Sequence, residues 1–158
     1  MSEETKYRNV FRGIIVSGVI TFVAYLITSI ISFVVGYFVL PGLFLFADLQ
    51  FLLGSFFGVL YFMKMRRRDQ SILLYGIVVG VVGGIVGAFF IAIYQWILLI
   101  NIIYFAIYFF PSLISGAFMG FLVGVLISVY YMYKQVKEET PERKADEEFF
   151  KDLIEDES

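Results

Sequence analysis

The chain has 158 residues, 60% of them hydrophobic, 20% aromatic and 16% charged, with a formal net charge of −2. Soluble domains carry about a quarter charged residues, so this apolar excess excludes an ordinary soluble domain and predicts a membrane protein. With no Cys and no His, disulfides, thiol nucleophiles, thiolate or imidazole metal sites and imidazole general bases are excluded as well.

Residues 1–12 read as a cytoplasmic N-terminal segment carrying Lys6, Arg8 and Arg12. From Gly13 to Leu40 there are 28 residues without a charge, and about 20 suffice for a helix to cross a hydrocarbon core about 30 Å thick. This run is the first predicted span. It is about twice the length of a signal-peptide apolar region and shows no small-residue cleavage pattern, so no cleavable leader is expected. Pro41-Gly42 has the composition of a tight turn. Leu43 to Met63 is the second predicted span, interrupted by Asp48 and Gln50 near its start and ended by Lys64, Arg66, Arg67, Arg68 and Asp69.

Ser71 to Tyr133 is a stretch of 63 uncharged residues, in which two spans of about 23 residues leave about 17 for a connection. The third span is expected near Ile72 to Tyr94. The fourth is expected to start at Pro111, since Pro suits a first helical turn, and to run to about Tyr133. Between them, Tyr94, Asn101, Tyr104 and Tyr108 share one helical face, so residues 95–110 are read as a segment lying at the headgroup level. The alternative is that both helices extend into it and tilt.

Basic residues flank the first span, the connection of the second to the third, and the end of the fourth, where Lys134 and Lys137 lie. The other two connections carry none, and positive residues stay inside. The reading is a multi-pass protein of the cell membrane with four spans and both termini cytoplasmic.

Helices in lipid associate through small residues. Gly76, Gly80 and Gly84 in the third span, Gly116, Gly120 and Gly124 in the fourth, and Gly54 and Gly58 in the second recur every four residues. Each set lies on one helix face, a glycine-zipper pattern of small-xxx-small contacts. Gly13, Ser17 and Thr21 form a weaker version in the first. These faces pack the internal bundle, or also drive self-association. Gly13-Ile-Ile-Val and Gly76-Ile-Val-Val match 63 residues apart, and the Gly54 to Gly58 segment matches Gly116 to Gly120 62 residues later. A duplicated hairpin of this kind gives two parallel two-helix repeats.

Asp48 is the one carboxylate within a predicted span. With Gln50 and Asn101 it is the candidate cation or proton site; its position near the start of a helix equally suits an interfacial carboxylate favoured by the helix dipole. Arg66, Arg67 and Arg68 are a topogenic stop that can also contact anionic lipid, but form too short a run for nucleic acid. Gly80 to Gly84 lacks the Lys and Ser/Thr of a phosphate loop.

The tail from Glu138 to Ser158 has ten acidic and three basic residues, a net of −7, against a net of +7 over Thr5 to Lys137. Thr140-Pro141 is a helix-start signal, and Phe149, Phe150, Leu153 and Ile154 make an apolar stripe that suits a protein contact, with a solvated tail as the alternative.

The fold class is therefore an all-α four-transmembrane-helix bundle over residues 13–137, followed by an acidic cytoplasmic tail. Small multidrug-efflux proteins share this size and span count, but the Glu they carry in the first span is missing here. The function expected is non-enzymatic: a self-associating scaffold or an accessory subunit, with no cofactor, whose partners are the bilayer and other membrane subunits. The alternative is a small cation- or proton-coupled transporter or channel built on Asp48.

Overall fold

A backbone carried through long apolar runs must satisfy its own hydrogen bonds, and here it does so as helix. The computed structural model describes the backbone over residues 4–35, 48–66, 70–99 and 102–155, and side-chain surroundings over 7–31, 48–66, 70–97 and 109–137. The described residues form four helices and no strand: α1 Glu4–Val35, α2 Leu49–Met65, α3 Ile72–Leu99 and α4 Ile102–Glu155. Three contain stretches long and apolar enough to cross a bilayer, Tyr7–Ile31, Ile72–Ile97 and Phe109–Lys137. The apolar helix α2 has 17 residues, about 26 Å of rise against a hydrocarbon core of about 30 Å.

Several boundaries differ from the sequence expectation. The Pro41-Gly42 turn and Leu43 to Ala47 lie outside the described residues, and α2 starts at Leu49. The segment 95–110 does not form a helix of its own, as in the alternative in which both helices extend into it. Helix α3 continues to Leu99 and α4 begins at Ile102, so Pro111 lies in a helix interior. Its ring removes one backbone hydrogen bond, at a cost of about 3 kcal/mol. A helix starting at Pro111 would instead leave the polar groups of nine preceding residues unpaired in apolar surroundings, at several kcal/mol each. Continuing the ladder is cheaper.

The tail differs from the expectation as well. Thr140-Pro141 does not start a new helix, because α4 runs through it to Glu155. Residues after Lys137 are rich in Glu, Lys and Arg, which extend a helix readily once the costly nucleus exists.

The helices pack as a rhombus. Helix α2 touches α1, α3 and α4, and α3 touches the same two outer helices, whereas α1 and α4 share no contact among the described residues. One end of the bundle collects the basic flanks: Asn9 Nδ2 donates to the Met65 carbonyl at 2.8 Å, and Arg66 donates to Gln135 Oε1 at 3.4 Å. The other end holds a bond from Gln95 Nε2 to the Tyr25 hydroxyl at 2.9 Å.

The core has large side chains at both ends. At the basic end Phe62, fully buried, packs among Val10, Val59, Val79 and Val123. At the opposite end Phe51 packs with Ala88 and Ile91. Between these layers the helices meet through small residues. Ser17 meets Gly58 and Thr21 meets Gly54 across α1 and α2, while Gly80 meets Gly120 and Gly84 meets Gly116 across α3 and α4. Going from the first hairpin to the second, each α1 position maps 63 residues on (Ser17 to Gly80, Thr21 to Gly84) and each α2 position 62 residues on (Gly58 to Gly120, Gly54 to Gly116). A third pair, Gly13 with Phe62, maps by the same two offsets onto Gly76 with Gly124, also in contact.

Candidate functional site

Among the described residues, the polar side chains singled out in the sequence fall at two places, the start of α2 and the basic end of the bundle. Asp48 is the N-cap residue of α2 and is half-buried. Its backbone carbonyl accepts from the amides of Phe51 at 3.0 Å and Leu52 at 3.1 Å, while its carboxylate makes no capping bond. Two residues on, about 200° around a helix, Gln50 is buried and turned toward α1. The Thr28 hydroxyl lies 3.0 Å from the carbonyls of Ala24 and Tyr25 and 3.5 Å from Gln50 Oε1. One proton is shared among three acceptors there, the nearer two in α1 itself, so the contact from Thr28 to Gln50 across α1 and α2 is a weak one. Asn101, the third member of the proposed ion site, lies outside the described residues.

Arg66 caps the end of α2. Its guanidinium donates to the Gln70 carbonyl at 2.7 Å and to Gln135 Oε1, tying the α2–α3 turn to α4. Arg67 and Arg68 lie outside the described residues.

The glycines lie inside the bundle. A Cβ on Gly80, Gly84, Gly116, Gly120 or Gly124 would run first into a backbone carbonyl of the facing helix. On Gly54 and Gly58 it would strike Thr21 and Ser17, and on Gly76 the Ser128 hydroxyl. Ser17 and Thr21 are each held between two glycines, one from each neighbour: Ser17 between Gly58 and Gly83, Thr21 between Gly54 and Gly87. Both hydroxyls are fully buried and lack a hydrogen-bond partner, as does Gln95 Oε1.

Sequence reasoning missed three links. The buried Ser128 hydroxyl donates to the Ile72 carbonyl at 3.2 Å, and the buried Ser55 hydroxyl lies 3.5 Å from that of Gly80. Ser128 was within reach, because Gly116, Gly120 and Gly124 continue to it at the same spacing of four. The third, Gln95 with Tyr25, carries no sequence signal, and it turns Gln95 toward α1, where Tyr94 also packs edge-on against Phe22 and Tyr25.

The buried polar side chains among the described residues are hydroxyls and amides: Ser17, Thr21, Gln50, Ser55, Gln70 and Ser128. No group of three or more metal-binding side chains converges among the described residues. Compared with known proteins, the chain matches no family model, no curated protein and no solved structure.

Proposed function

We propose that this is a four-span protein of the cell membrane, with both termini cytoplasmic, acting as a non-enzymatic scaffold or accessory subunit of a membrane complex. Its four helices are two repeats of one hairpin, packed through glycine.

The observation that carries this reading is the use of the interior. Hydroxyls and amides keep one protonation state across the ordinary pH range, and the glycine faces are taken up by neighbouring helices of the same chain. Such an interior is a joint between helices, and it makes the outer surface the part available to partners. Self-association through Gly120 is correspondingly disfavoured.

Four spans are supported by the clustering of basic flanks at one end, since Asn9 bonds Met65 and Arg66 bonds Gln135. Positive residues retained on the inner side then put both chain ends there. Helix α2 falls short of a 30 Å core by only about 4 Å, a mismatch that costs fractions of a kcal/mol per Å. Duplication is supported by the three equivalent helix contacts at shared offsets of 63 and 62 residues.

The test has two arms. Protein extracted in mild detergent and cross-linked beforehand in the membrane is expected to co-purify with other membrane subunits; extraction as a bare monomer under both conditions overturns the scaffold reading. In proteoliposomes no proton or cation flux is expected. Flux abolished by Asp48→Asn in a folded variant would install the transporter reading instead.

A further inference from the structure

A groove of about 390 Å³ runs between α2 and α4 on the outside of the bundle. Leu52, Phe56 and Leu60 form one wall, and Val123, Leu126, Ile127 and Tyr130 the other. It opens outward, since Leu126 is 69% and Tyr130 62% exposed. Apolar lining alone does not choose an occupant in a bilayer, where any chain or helix is apolar. The ends of the walls do.

On α2 the spacing of four that gives Leu52, Phe56 and Leu60 arrives next at Lys64. On α4, Leu126 and Tyr130 are followed on the same face by Lys134 and Lys137. Lys64 and Lys137 are exposed. The bond from Arg66 to Gln135 holds these two helix ends side by side. Both walls therefore finish in lysine at the same end, the end assigned to the cytoplasm.

Length agrees. From Leu52 to Lys64 the helix rises about 18 Å, close to half of a hydrocarbon core about 30 Å thick. The groove is one leaflet deep, with cations at the headgroup level. We infer that it binds an anionic glycerophospholipid of the cytoplasmic leaflet, one acyl chain between α2 and α4 and the phosphate at Lys64 and Lys137. Basic pockets between spans on this side of a membrane are suited to acidic headgroups. A second copy of the chain is a poorer occupant, because every one of its basic helix ends would face these lysines across the same leaflet. Arg66, engaged with Gln70 and Gln135, is a brace for the site. The inference rests on the membrane reading above.

The single Trp of the chain, Trp96 on α3, makes a direct test possible. The full chain carrying Trp96→Phe and Tyr130→Trp has one indole in the groove. In phosphatidylcholine vesicles, brominated phosphatidylglycerol should quench it several-fold more than its mole fraction predicts, and brominated phosphatidylcholine should not. Lys64→Gln and Lys137→Gln should each reduce the preference about fivefold, the equivalent of about 1 kcal/mol per basic residue at the surface. Leu126→Phe, which puts a larger side chain on an exposed wall of the groove and keeps both lysines, should weaken quenching by either lipid. Equal quenching by the two lipids, or a preference indifferent to both lysines, overturns the inference. So does a Leu126→Phe variant whose oligomer mass changes while quenching does not, which would assign the groove to a second copy. Vesicle flotation reads membrane insertion separately, so failure of the membrane reading is distinguishable from failure of the site.

Discussion

Gly80 and Gly120 lie backbone against backbone, and a Cβ on either would run into the carbonyl group of the other. The equivalent pair in the first hairpin is Ser17 and Gly58, where a Cβ on Gly58 would meet the Ser17 Cβ at 2.5 Å. One hairpin is closed by glycine on glycine and the other by glycine on a hydroxyl residue. Backbone cannot be rotated out of the way, so the two joints should respond differently to added atoms.

Gly120→Ala is accordingly expected to destabilise the bundle by about 1–3 kcal/mol, the usual range for overpacking. Gly13→Ala should cost less, because its nearest neighbours stand farther off, Val79 Cγ1 at 3.0 Å, Phe62 Cβ at 3.1 Å and the Gly58 carbonyl oxygen at 3.3 Å. Thermal unfolding of the two variants in one detergent checks the order. Equal losses would contradict the close approach at Gly120.

Two buried hydroxyls should behave oppositely. Ser128 donates to the Ile72 carbonyl, and Ser128→Ala should lose about 0.6 kcal/mol, the average for such bonds in a membrane. Thr21 Oγ1 is buried without a partner. Thr21→Val keeps the shape and removes an unsatisfied group, so it should leave stability unchanged or raise it. A clear loss in Thr21→Val would mean that the hydroxyl has a donor or acceptor role.

Gln95 and Tyr25 join α3 to α1 at the end away from the basic residues. In a double-mutant cycle, Gln95→Leu and Tyr25→Phe should show a coupling of about 0.5–1 kcal/mol. Additive effects would remove this bond from the account.

Since the chain has no Cys, each introduced one is unique. Cysteines at Ser71 and Lys137 should react with a membrane-impermeant maleimide only after the inner face is exposed. One at Asp48 should react from outside. The opposite pattern at any of the three sites contradicts the proposed topology.

Helix α4 continues through Pro141 to Glu155. Spin labels at Lys134 and Glu155, 21 residues apart, should give a distance centred near about 32 Å, the rise of an unbroken helix. A broad distribution at much shorter distances would indicate a break at Thr140-Pro141.

Much of this architecture is written locally. Apolar runs too long for a soluble core, closed off by Lys and Arg, dictate helices and their approximate number, because backbone groups away from water must bond within their own segment. The spacing of four among Gly76, Gly80 and Gly84 identifies a contact face for the same local reason. The partner of each face is not local. That Gly80 meets Gly120, that Ser17 fits between Gly58 and Gly83, and that Gln50 turns to Thr28 follow from how four rods share one cross-section, and only their joint packing chooses among similar small-residue stripes. Pro111 and Pro141 make the same point. Each is a start signal when read alone, and each lies inside a helix already running through it; at Pro111, in an apolar run, interrupting that ladder costs more than one missing hydrogen bond, and at Pro141 the flanking Glu, Lys and Arg carry the helix on.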